Sequence, residues 1–458
     1  MNLRVYFWAT FAFSAILLLA PLRTGDLPGY DDALYAHIAK DIVRTGDWIN
    51  IRSNGYPALE HPPLLAWSEA VLFSVFGVSD AMARLPAALS AQGVIVLVYL
   101  LAKKLLGNRW QGLLAMFVMA TSLYFLKYAA HAMTDVPFTF LFLCAISAWA
   151  LADKNPRWYL AAGFFTALAA FTRSMMGFSL PLLFAADCLV RRRMPPLRWT
   201  APALVIAALP AVAWYGHLMH VHRDFFVQVH SLFLEHEVFG GLQPPWRRYT
   251  GVFEYLWMIS KGYWPWLPFM ITGFVLVIRE RRRDLYLLIT WVAVVFILCS
   301  VTRSRILRYM LPAFPAFAML SAIGLTRLVP DRHLKLSLRI LVPLFGLAAI
   351  VVAIRQPGHW NATDVRPMAL AATSATSPGE RFGFYDEGQP RWDETNQLQW
   401  YGDRFLDAYL ERSKLDEAIA SRTQTVYVVD KATFEALAAR ERLVVVAASG
   451  HLVCFRLL

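Results

Sequence analysis

Two adjacent carboxylates stand just beyond the first hydrophobic stretch of this chain. Asp31 and Asp32 closely follow the apolar residues 5–22, near the point where a membrane-spanning helix would leave the bilayer. Acidic side chains beside a bilayer are costly unless they face water, a cation or a substrate. Leu34 and Ile38 continue with helical spacing, so an acid here would also stabilise the first turn of a helix. The pair therefore indicates a helix start, a reactive carboxylate, or one of each.

A third carboxylate, Asp135, precedes Val136 and Pro137 at the outer end of a later apolar stretch. Capping of a helix start is one explanation for an acid in this position. If each apolar stretch of the chain crosses the membrane once, Asp31 and Asp135 lie at the same membrane face. Two carboxylates from separate loops could orient a hydroxyl, accept its proton or hold a cation. Asp31, Asp32 and Asp135 are therefore the candidate catalytic residues.

A carboxylate and several imidazoles indicate a possible metal site. Glu60 and His61 precede two prolines, which restrict His61 to an extended conformation. The long loop 217–262 is rich in histidine, and His236 lies there between two glutamates. Carboxylate and imidazole ligands suit a divalent ion such as Zn²⁺, Mg²⁺ or Mn²⁺. We predict Glu60 and His236 as the metal ligands, although they lack the HExxH spacing.

Arginines concentrate in the segment 302–309. If each apolar stretch crosses the membrane once, this segment lies on the outer side of the membrane. Basic residues on that side need a reason, because Lys and Arg normally accumulate in cytoplasmic loops. Arginine forks suit phosphate oxygens, and pairing with anionic lipid head groups is the alternative. The basic residues predicted on this face are Arg84, Lys127, Arg173, Arg303, Arg305 and Arg308.

The composition is that of a polytopic membrane protein. The 458 residues are 58% hydrophobic and only 17% charged, against roughly 25% charged in a soluble domain. The net charge of +12 follows from basic cytoplasmic loops, so we expect no nucleic-acid partner. The 4 cysteines show no CxxC spacing, which argues against a zinc knuckle or a redox pair.

The apolar stretches predict about eleven membrane-spanning helices, since a span needs about 20 mainly apolar residues. Residues 5–22 form a retained first helix, because a poor cleavage site follows them. The 13 residues of Leu64–Phe76 are short and predict an interfacial helix. The spans are 5–22, 83–102, 110–125, 136–151, 158–172, 177–190, 201–217, 263–278, 285–301, 307–325 and 336–354.

The short basic loops between these spans all fall on one side, which the positive-inside rule makes cytoplasmic. The N-terminus is then inside, and the acidic first loop is outside. After residue 355 the chain becomes polar. Residues 381–385, 425–429 and a hairpin of 443–447 with 452–455 predict strands. We expect two domains, a membrane domain at 1–355 and a small external α/β domain at 356–458.

These residues resemble the membrane-embedded GT-C glycosyltransferases. The resemblance is to the bacterial branch that contains lipid A aminoarabinose transferase and relatives of protein O-mannosyltransferase, and it covers roughly residues 1–355. The motifs that carry it are Asp31-Asp32-Ala33-Leu34-Tyr35, Thr45-Gly46-Asp47-Trp48, Glu60-His61-Pro62-Pro63-Leu64, Ala83-Arg84-Leu85-Pro86, Thr134-Asp135, Glu235-His236-Glu237 and Arg308-Tyr309-Met310-Leu311-Pro312.

The resemblance implies an inverting transfer of a sugar from a polyprenyl (undecaprenyl) phosphate donor, without a nucleotide cofactor. Asp31 would organise donor and acceptor with Asp135 as its partner, and Glu60 and His236 match metal-binding positions. The family usually has Lys where this chain has His61, which leaves less fixed charge beside the phosphate. The implied substrate-binding residues are Tyr35, His61, Arg84, Lys127, Arg303, Arg305, Arg308 and Tyr309.

We expect a monomer in the bacterial inner membrane, with its active site and C-terminal domain in the periplasm. The acceptor would be lipid A or lipopolysaccharide, another glycan or a protein. The alternative function is a transporter or flippase for a lipid-linked sugar. Transporters often contain internal repeats and place their charges near the middle of the bilayer. This sequence shows neither feature.

Overall fold

The computed structural model describes residues 2–59, 61–177, 179–224, 247–301, 305–355, 363–387, 392–437 and 442–458. Most of these residues form helices. The helices are α1 (Leu3–Leu19), α2 (Tyr30–Thr45), α3 (Leu64–Phe76), α4 (Asp80–Leu105), α5 (Arg109–Ala120), α6 (Leu123–Ala129), α7 (Asp135–Ala152), α8 (Trp158–Thr172), α9 (Ser174–Gly177), α10 (Ser179–Arg191), α11 (Leu197–Val221), α12 (Arg247–Gly262), α13 (Leu267–Arg279), α14 (Tyr286–Val301), α15 (Phe314–Leu328), α16 (Asp331–Arg355), α17 (Val365–Ala375), α18 (Trp392–Tyr401), α19 (Arg412–Ala420) and α20 (Lys431–Glu435).

Three short 3₁₀ segments adjoin these helices. They are Ala20–Arg23, Arg283–Leu285 and Leu307–Ala313. The strands are β1 (Arg52–Ser53), β2 (Tyr56–Pro57), β3 (Phe382–Tyr385), β4 (Leu406–Tyr409), β5 (Val426–Asp430), β6 (Leu443–Ser449) and β7 (Leu452–Leu457).

The predicted class, a polytopic helical membrane protein, is confirmed. Within the described ranges, 7 helices are long and apolar enough to cross a bilayer, or up to 8 if the bent pair α5 and α6 forms one span. All eleven predicted stretches coincide with helices, but α8, α10 and α13 have only 15, 13 and 13 residues. The exact number of crossings therefore stays a prediction.

The helix that follows the arginine-rich segment packs unusually closely against its neighbour. Gly273 of α13 faces the main chain of Leu320 in α15, and Gly324 of α15 faces the main chain of Phe269 in α13. A Cβ at either glycine would lie 2.0 Å or less from a carbonyl oxygen. Small residues permit such close helix contact within a membrane. The contact fixes α15, which begins directly after Leu307–Ala313.

The C-terminal residues form a five-stranded mixed sheet in the order β4-β3-β5-β7-β6. β3 pairs in parallel with β4 and β5, whereas β7 pairs antiparallel with β5 and β6. The predicted strands at β3, β5, β6 and β7 are confirmed. Strand β4 and helices α17, α18 and α19 were not predicted. Of these, α18 packs directly against α2.

Candidate functional site

The first turn of α2 presents one carboxylate to the surface and buries the next. Asp31 and Asp32 both lie in this turn. The Asp31 side chain is 39% exposed, and its Oδ2 lies 3.0 Å from Nη2 of Arg308. Adjacent residues of a helix point about 100° apart, which explains why Asp32 is fully buried. Only Asp31 is therefore placed to meet a substrate.

Asp135 joins two arginines at the start of α7. Its carboxylate accepts a hydrogen bond from Nη1 of Arg173, which directly follows α8. The other oxygen lies 3.9 Å from Nε of Arg308. Asp135 is 2% exposed, so it does not offer itself to an acceptor. It holds the two guanidinium groups in place, and the four charges of Asp31, Asp135, Arg173 and Arg308 sum to zero. We call these four residues the ion-pair cluster.

Two tyrosines complete the surroundings of the ion-pair cluster. The guanidinium carbons of Arg173 and Arg308 lie 4.4 and 5.8 Å from the ring centre of Tyr309. Tyr35 of α2 is buried and lies near the side chain of Thr134. Burial raises the pKa of Tyr35 above its usual range, and Asp31 and Asp135 raise it further. Tyr35 is therefore a neutral hydrogen-bond donor at physiological pH.

His61 lies beside this group. Its ring meets the Tyr35 ring edge-on, with the ring centres 5.4 Å apart. Two adjacent prolines follow His61 and lead into α3. His61 thus lies next to Tyr35, and its predicted contact with the substrate stays a prediction.

The structure does not place Asp32 where the predicted catalytic role requires it. Its Oδ1 accepts a hydrogen bond of 2.8 Å from the main-chain N–H of Ala132, and its Oδ2 lies 3.1 Å from Nδ1 of His131. These contacts use both oxygens inside the protein. A general base must reach the proton it removes, and a fully buried, paired carboxylate does not. Asp32 instead fixes the loop that leads to Asp135.

A second buried acid lies near Asp32. Glu69 of α3 is fully buried, and neither of its carboxylate oxygens has a hydrogen-bond partner within the described residues. Burial raises its pKa well above the ordinary value, and the negative charge of Asp32 adds to the rise. The buried environment therefore favours the protonated, neutral form of Glu69.

Arg84 does not face the site, contrary to the predicted substrate contact. It is 3% exposed. Its guanidinium donates to the carbonyl oxygens of Leu22, Thr24, Gly25 and Asp26, at 2.8 to 3.4 Å. Those carbonyls belong to the chain between α1 and α2, where no helix satisfies them. Arg84 therefore shapes the approach to α2 and supports the site only indirectly.

The remaining predicted residues divide into two groups. Arg305 is 3% exposed and pairs with Glu254 at 3.2 Å, so it connects the arginine-rich segment to α12. Lys127 is exposed on α6, with its ammonium 5.6 Å from the ring centre of Tyr128. Neither geometry supports a predicted phosphate contact. Glu60, His236 and Arg303 lie outside the described residues.

The possible metal site therefore stays a prediction. Both ligands expected from the sequence, Glu60 and His236, fall outside the described ranges. Among the residues that the structure does describe, no group of three or more His, Cys, Asp or Glu side chains could hold a metal ion.

Two contributors were missed as site residues or given no specific role. Arg173 was grouped with the outer basic residues, but its pairing with Asp135 was not foreseen. An arginine directly after the apolar helix α8 is the signal that marks it. His131 contacts Asp32 across 99 positions of sequence. Such a contact leaves no local pattern.

The ion-pair cluster is suited to recognising an anion. The Nε of Arg308 is buried and has no hydrogen-bond partner within the described residues, so this guanidinium is incompletely satisfied. Charge-assisted bonds from arginine to a phosphate are strong and geometrically specific. The exposed carboxylate of Asp31 lies beside the same guanidinium. The site thus places a guanidinium, a group that can bind phosphate, next to a carboxylate, a group that can accept a proton.

Comparison with known proteins gives a consistent set of likenesses. A family profile described as dolichyl-phosphate-mannose-protein mannosyltransferase matches residues 60–215. A protein of Aquifex aeolicus without an assigned function is 25% identical over 71% of this chain and 64% of its own length. The undecaprenyl phosphate-alpha-4-amino-4-deoxy-L-arabinose arabinosyl transferase of Shewanella sediminis is 23% identical over 75% of this chain and 64% of its own.

The fold is similar to that of a solved structure. ArnT from Cupriavidus metallidurans in the apo state gives a TM-score of 0.79 at 19% identity, covering 99% of this chain and 98% of that one. The same protein bound to undecaprenyl phosphate gives a TM-score of 0.75. The resemblance to the GT-C glycosyltransferases is confirmed. This chain nevertheless spans less than two thirds of the length of the two sequence relatives above.

Replacing Asp135 with Asn should destabilise the protein more than replacing Asp31 with Asn. D135N leaves Arg173 and Arg308 without their shared carboxylate, and breaking a buried ion pair costs about 3–5 kcal/mol. D31N removes a partly exposed carboxylate, for which the loss is about 1 kcal/mol or less. Denaturant unfolding in detergent, followed by tryptophan fluorescence, measures both. Equal losses in the two variants would contradict the placement of Asp135.

Replacing Glu69 with Gln should stabilise the protein at pH 8 more than at pH 5. The folded-state pKa of Glu69 lies above its unfolded value, so its contribution to stability is lost as pH rises toward the folded pKa. Glutamine mimics the protonated acid and removes that loss. Thermal unfolding at both pH values tests this. A stabilisation that does not depend on pH would contradict a raised pKa of Glu69 in the folded protein.

Proposed function

We propose that this protein transfers a sugar from a polyprenyl phosphate donor to an acceptor of the cell envelope. The observation that carries the proposal is the exposed Asp31 carboxylate, 3.0 Å from Arg308, with Asp135 and Arg173 behind it. A flippase moves its lipid without breaking a bond. It has no evident need for a proton acceptor beside an anion-binding guanidinium.

The donor class is supported by the relatives. The Shewanella relative is described as acting with undecaprenyl phosphate-linked aminoarabinose, and ArnT has been solved with undecaprenyl phosphate bound. The donor is taken to be a polyprenyl phosphate-linked sugar, with its phosphate at Arg308. The side chain of Arg308 is 16% exposed beside Asp31, and its guanidinium lies near Tyr309. Arg173 adds a second positive charge on the other side of Asp135.

The proposed reaction is a single displacement. The acceptor oxygen forms a bond to the anomeric carbon while the bond from that carbon to the phosphate oxygen breaks. The electron pair leaves with the polyprenyl phosphate, whose developing charge Arg308 and Arg173 stabilise. Attack from the side opposite the leaving group inverts the anomeric configuration. If the acceptor is a hydroxyl, its proton passes to Asp31. If the acceptor is itself a phosphate, Asp31 orients it and no base is required.

His61 changes the electrostatics that the resemblance implies. A lysine would place a permanent cation here, which a histidine does not. Stabilisation of the phosphate would therefore depend more on the arginines in this chain. The difference also leaves the acceptor open among lipid A, another glycan and a protein.

The site is assigned to the extracytoplasmic face of the bacterial inner membrane, following the charge of the loops. The helices are apolar enough for several crossings, and the basic loops favour the opposite face as cytoplasmic. The divalent metal between Glu60 and His236 remains a prediction. No step of the proposed reaction requires it.

Asp31→Asn should abolish sugar transfer to hydroxyl acceptors while leaving the fold intact. The asparagine cannot accept the proton, and loss of a general base lowers rates by roughly 10²–10⁴-fold. The assay supplies purified protein with undecaprenyl phosphate-linked sugars and an envelope extract. It measures released undecaprenyl phosphate and labelled product, and NMR of the product reports the anomeric configuration.

Asp47→Asn is the matched control. Asp47 lies just beyond the other end of α2 and caps its own turn by accepting from the main-chain N–H groups of Ile49 and Asn50, which Asn can also do. D47N should therefore transfer sugar at the wild-type rate. A product of retained configuration would overturn the single displacement. Movement of the intact, uncleaved donor across the membrane of vesicles would favour a flippase.

A further inference from the structure

Helix α18 of the C-terminal region lies against the chain that leads into α2. The side-chain amide of Asn396 donates to the carbonyl oxygen of Tyr30 at 3.0 Å, and that of Gln397 donates to Leu27 at 2.7 Å. The hydroxyl of Tyr401 accepts from the N–H of Leu27 at 2.6 Å. One face of α18 therefore binds the main chain immediately before Asp31.

These contacts are buried, which gives them weight. Asn396 is 4% exposed and Gln397 is 5% exposed. Polar side chains inside a protein are normally retained with hydrogen-bond partners, and loss of one partner leaves the other unsatisfied. The partners here are main-chain groups of Leu27, which precedes α2, and of Tyr30, its first residue. The two amides thus determine where the segment 27–30 runs.

The chain directly before this segment is held by a membrane helix. Arg84 of α4 binds carbonyl oxygens from Leu22 to Asp26. Tyr30 has a φ of +53°, which a non-glycine residue adopts only when its surroundings compel it. At Gly29 the chain approaches α18 so closely that a Cβ would lie 2.3 Å from the Cα of Asp393. The start of α2 is therefore fixed between the membrane helices and α18.

We infer that α18 is a positioning element of the active site, with Asn396 as its principal residue. Asn396 binds the residue directly before Asp31, and so fixes the carboxylate relative to Arg308. The inference rests on the proposed function, in which Asp31 meets the acceptor. The C-terminal domain is then part of the apparatus that orients the reacting groups. Misplacing such a group by about 1 Å can cost 10²-fold in rate.

Asn396→Ala is the direct test, and Lys40→Met is its matched control. Lys40 lies nine positions after Asp31 in α2, and it also contacts the end of α18. Its ammonium donates to the carbonyl oxygens of Trp400 and Gly402, each at 3.1 Å, and pairs with Asp403 at 2.6 Å. Both variants weaken the contact between the same two helices. Only N396A releases the main chain beside Asp31.

N396A should lower kcat by about 10- to 100-fold and leave KM for the donor within about twofold of wild type. K40M should leave both near wild type, although both variants lose thermal stability. Hydrogen–deuterium exchange provides a readout without turnover. Peptides covering residues 27–35 should exchange faster in N396A than in wild type or K40M. Gly29→Ala places a Cβ against Asp393 and so pushes α18 away from the start of α2. This variant should reproduce the N396A pattern.

Three results would overturn the inference. They are an unchanged kcat in N396A, an equal loss of kcat in K40M, and unchanged exchange at residues 27–35. If the wild-type protein transfers no sugar from any donor, the proposed function fails. The exchange measurement then decides the inference alone: faster exchange confined to N396A and G29A supports it, and unchanged exchange contradicts it.

Discussion

The structure depends on one buried carboxylate that holds two arginines together. Asp135 is almost fully enclosed and contacts Arg173 on one side and Arg308 on the other. Charges removed from water are expensive unless they are paired and hydrogen-bonded. The two guanidinium groups would repel each other without the carboxylate between them. Their common position beside Tyr309 therefore exists because Asp135 is there.

The surrounding elements bring these charges to one place. α7 begins at Asp135, α8 ends just before Arg173, and the 3₁₀ segment before α15 carries Arg308. The glycine contact between α13 and α15 fixes that segment from the membrane side. α2 supplies Asp31. The chain at the start of α2 is held by Arg84 and by α18. Each element contributes one charged side chain or one constraint on its position.

The sequence predicts much of this arrangement, because membrane topology is a strong constraint. The apolar stretches locate the helices, and their alternation brings Asp31, Asp135 and Arg308 to one face. It does not decide between Asp31 and Asp32, since both occupy the same helical turn and only tertiary packing shows which one is buried. Arg84 was predicted to contact the substrate. Its actual partners are main-chain carbonyls, which the pattern of side chains in the sequence does not reveal.

In the C-terminal region, too, the sequence predicts some elements and leaves others to tertiary contacts. β5 and the β6–β7 hairpin are runs of Val, Ala and Phe with ordinary strand character, and the sequence reveals them. β4 is a four-residue strand whose pairing depends on β3. α18 is polar for most of its length, with buried amides that bind the first loop. Its helix is stabilised by contacts over 300 residues away in sequence, which local periodicity cannot show.

The most direct test of the central claim is the affinity for undecaprenyl phosphate in detergent, compared between the wild-type protein, R308M and D31N. Arg308 pairs with Asp31 and is proposed to bind the phosphate. R308M should therefore bind about tenfold or more weakly, since a charge-assisted bond contributes about 1.5–3 kcal/mol. D31N should bind as tightly as wild type or more tightly, because it frees the guanidinium and removes a nearby negative charge. Wild-type affinity in R308M, or an equal loss in D31N, would contradict the account.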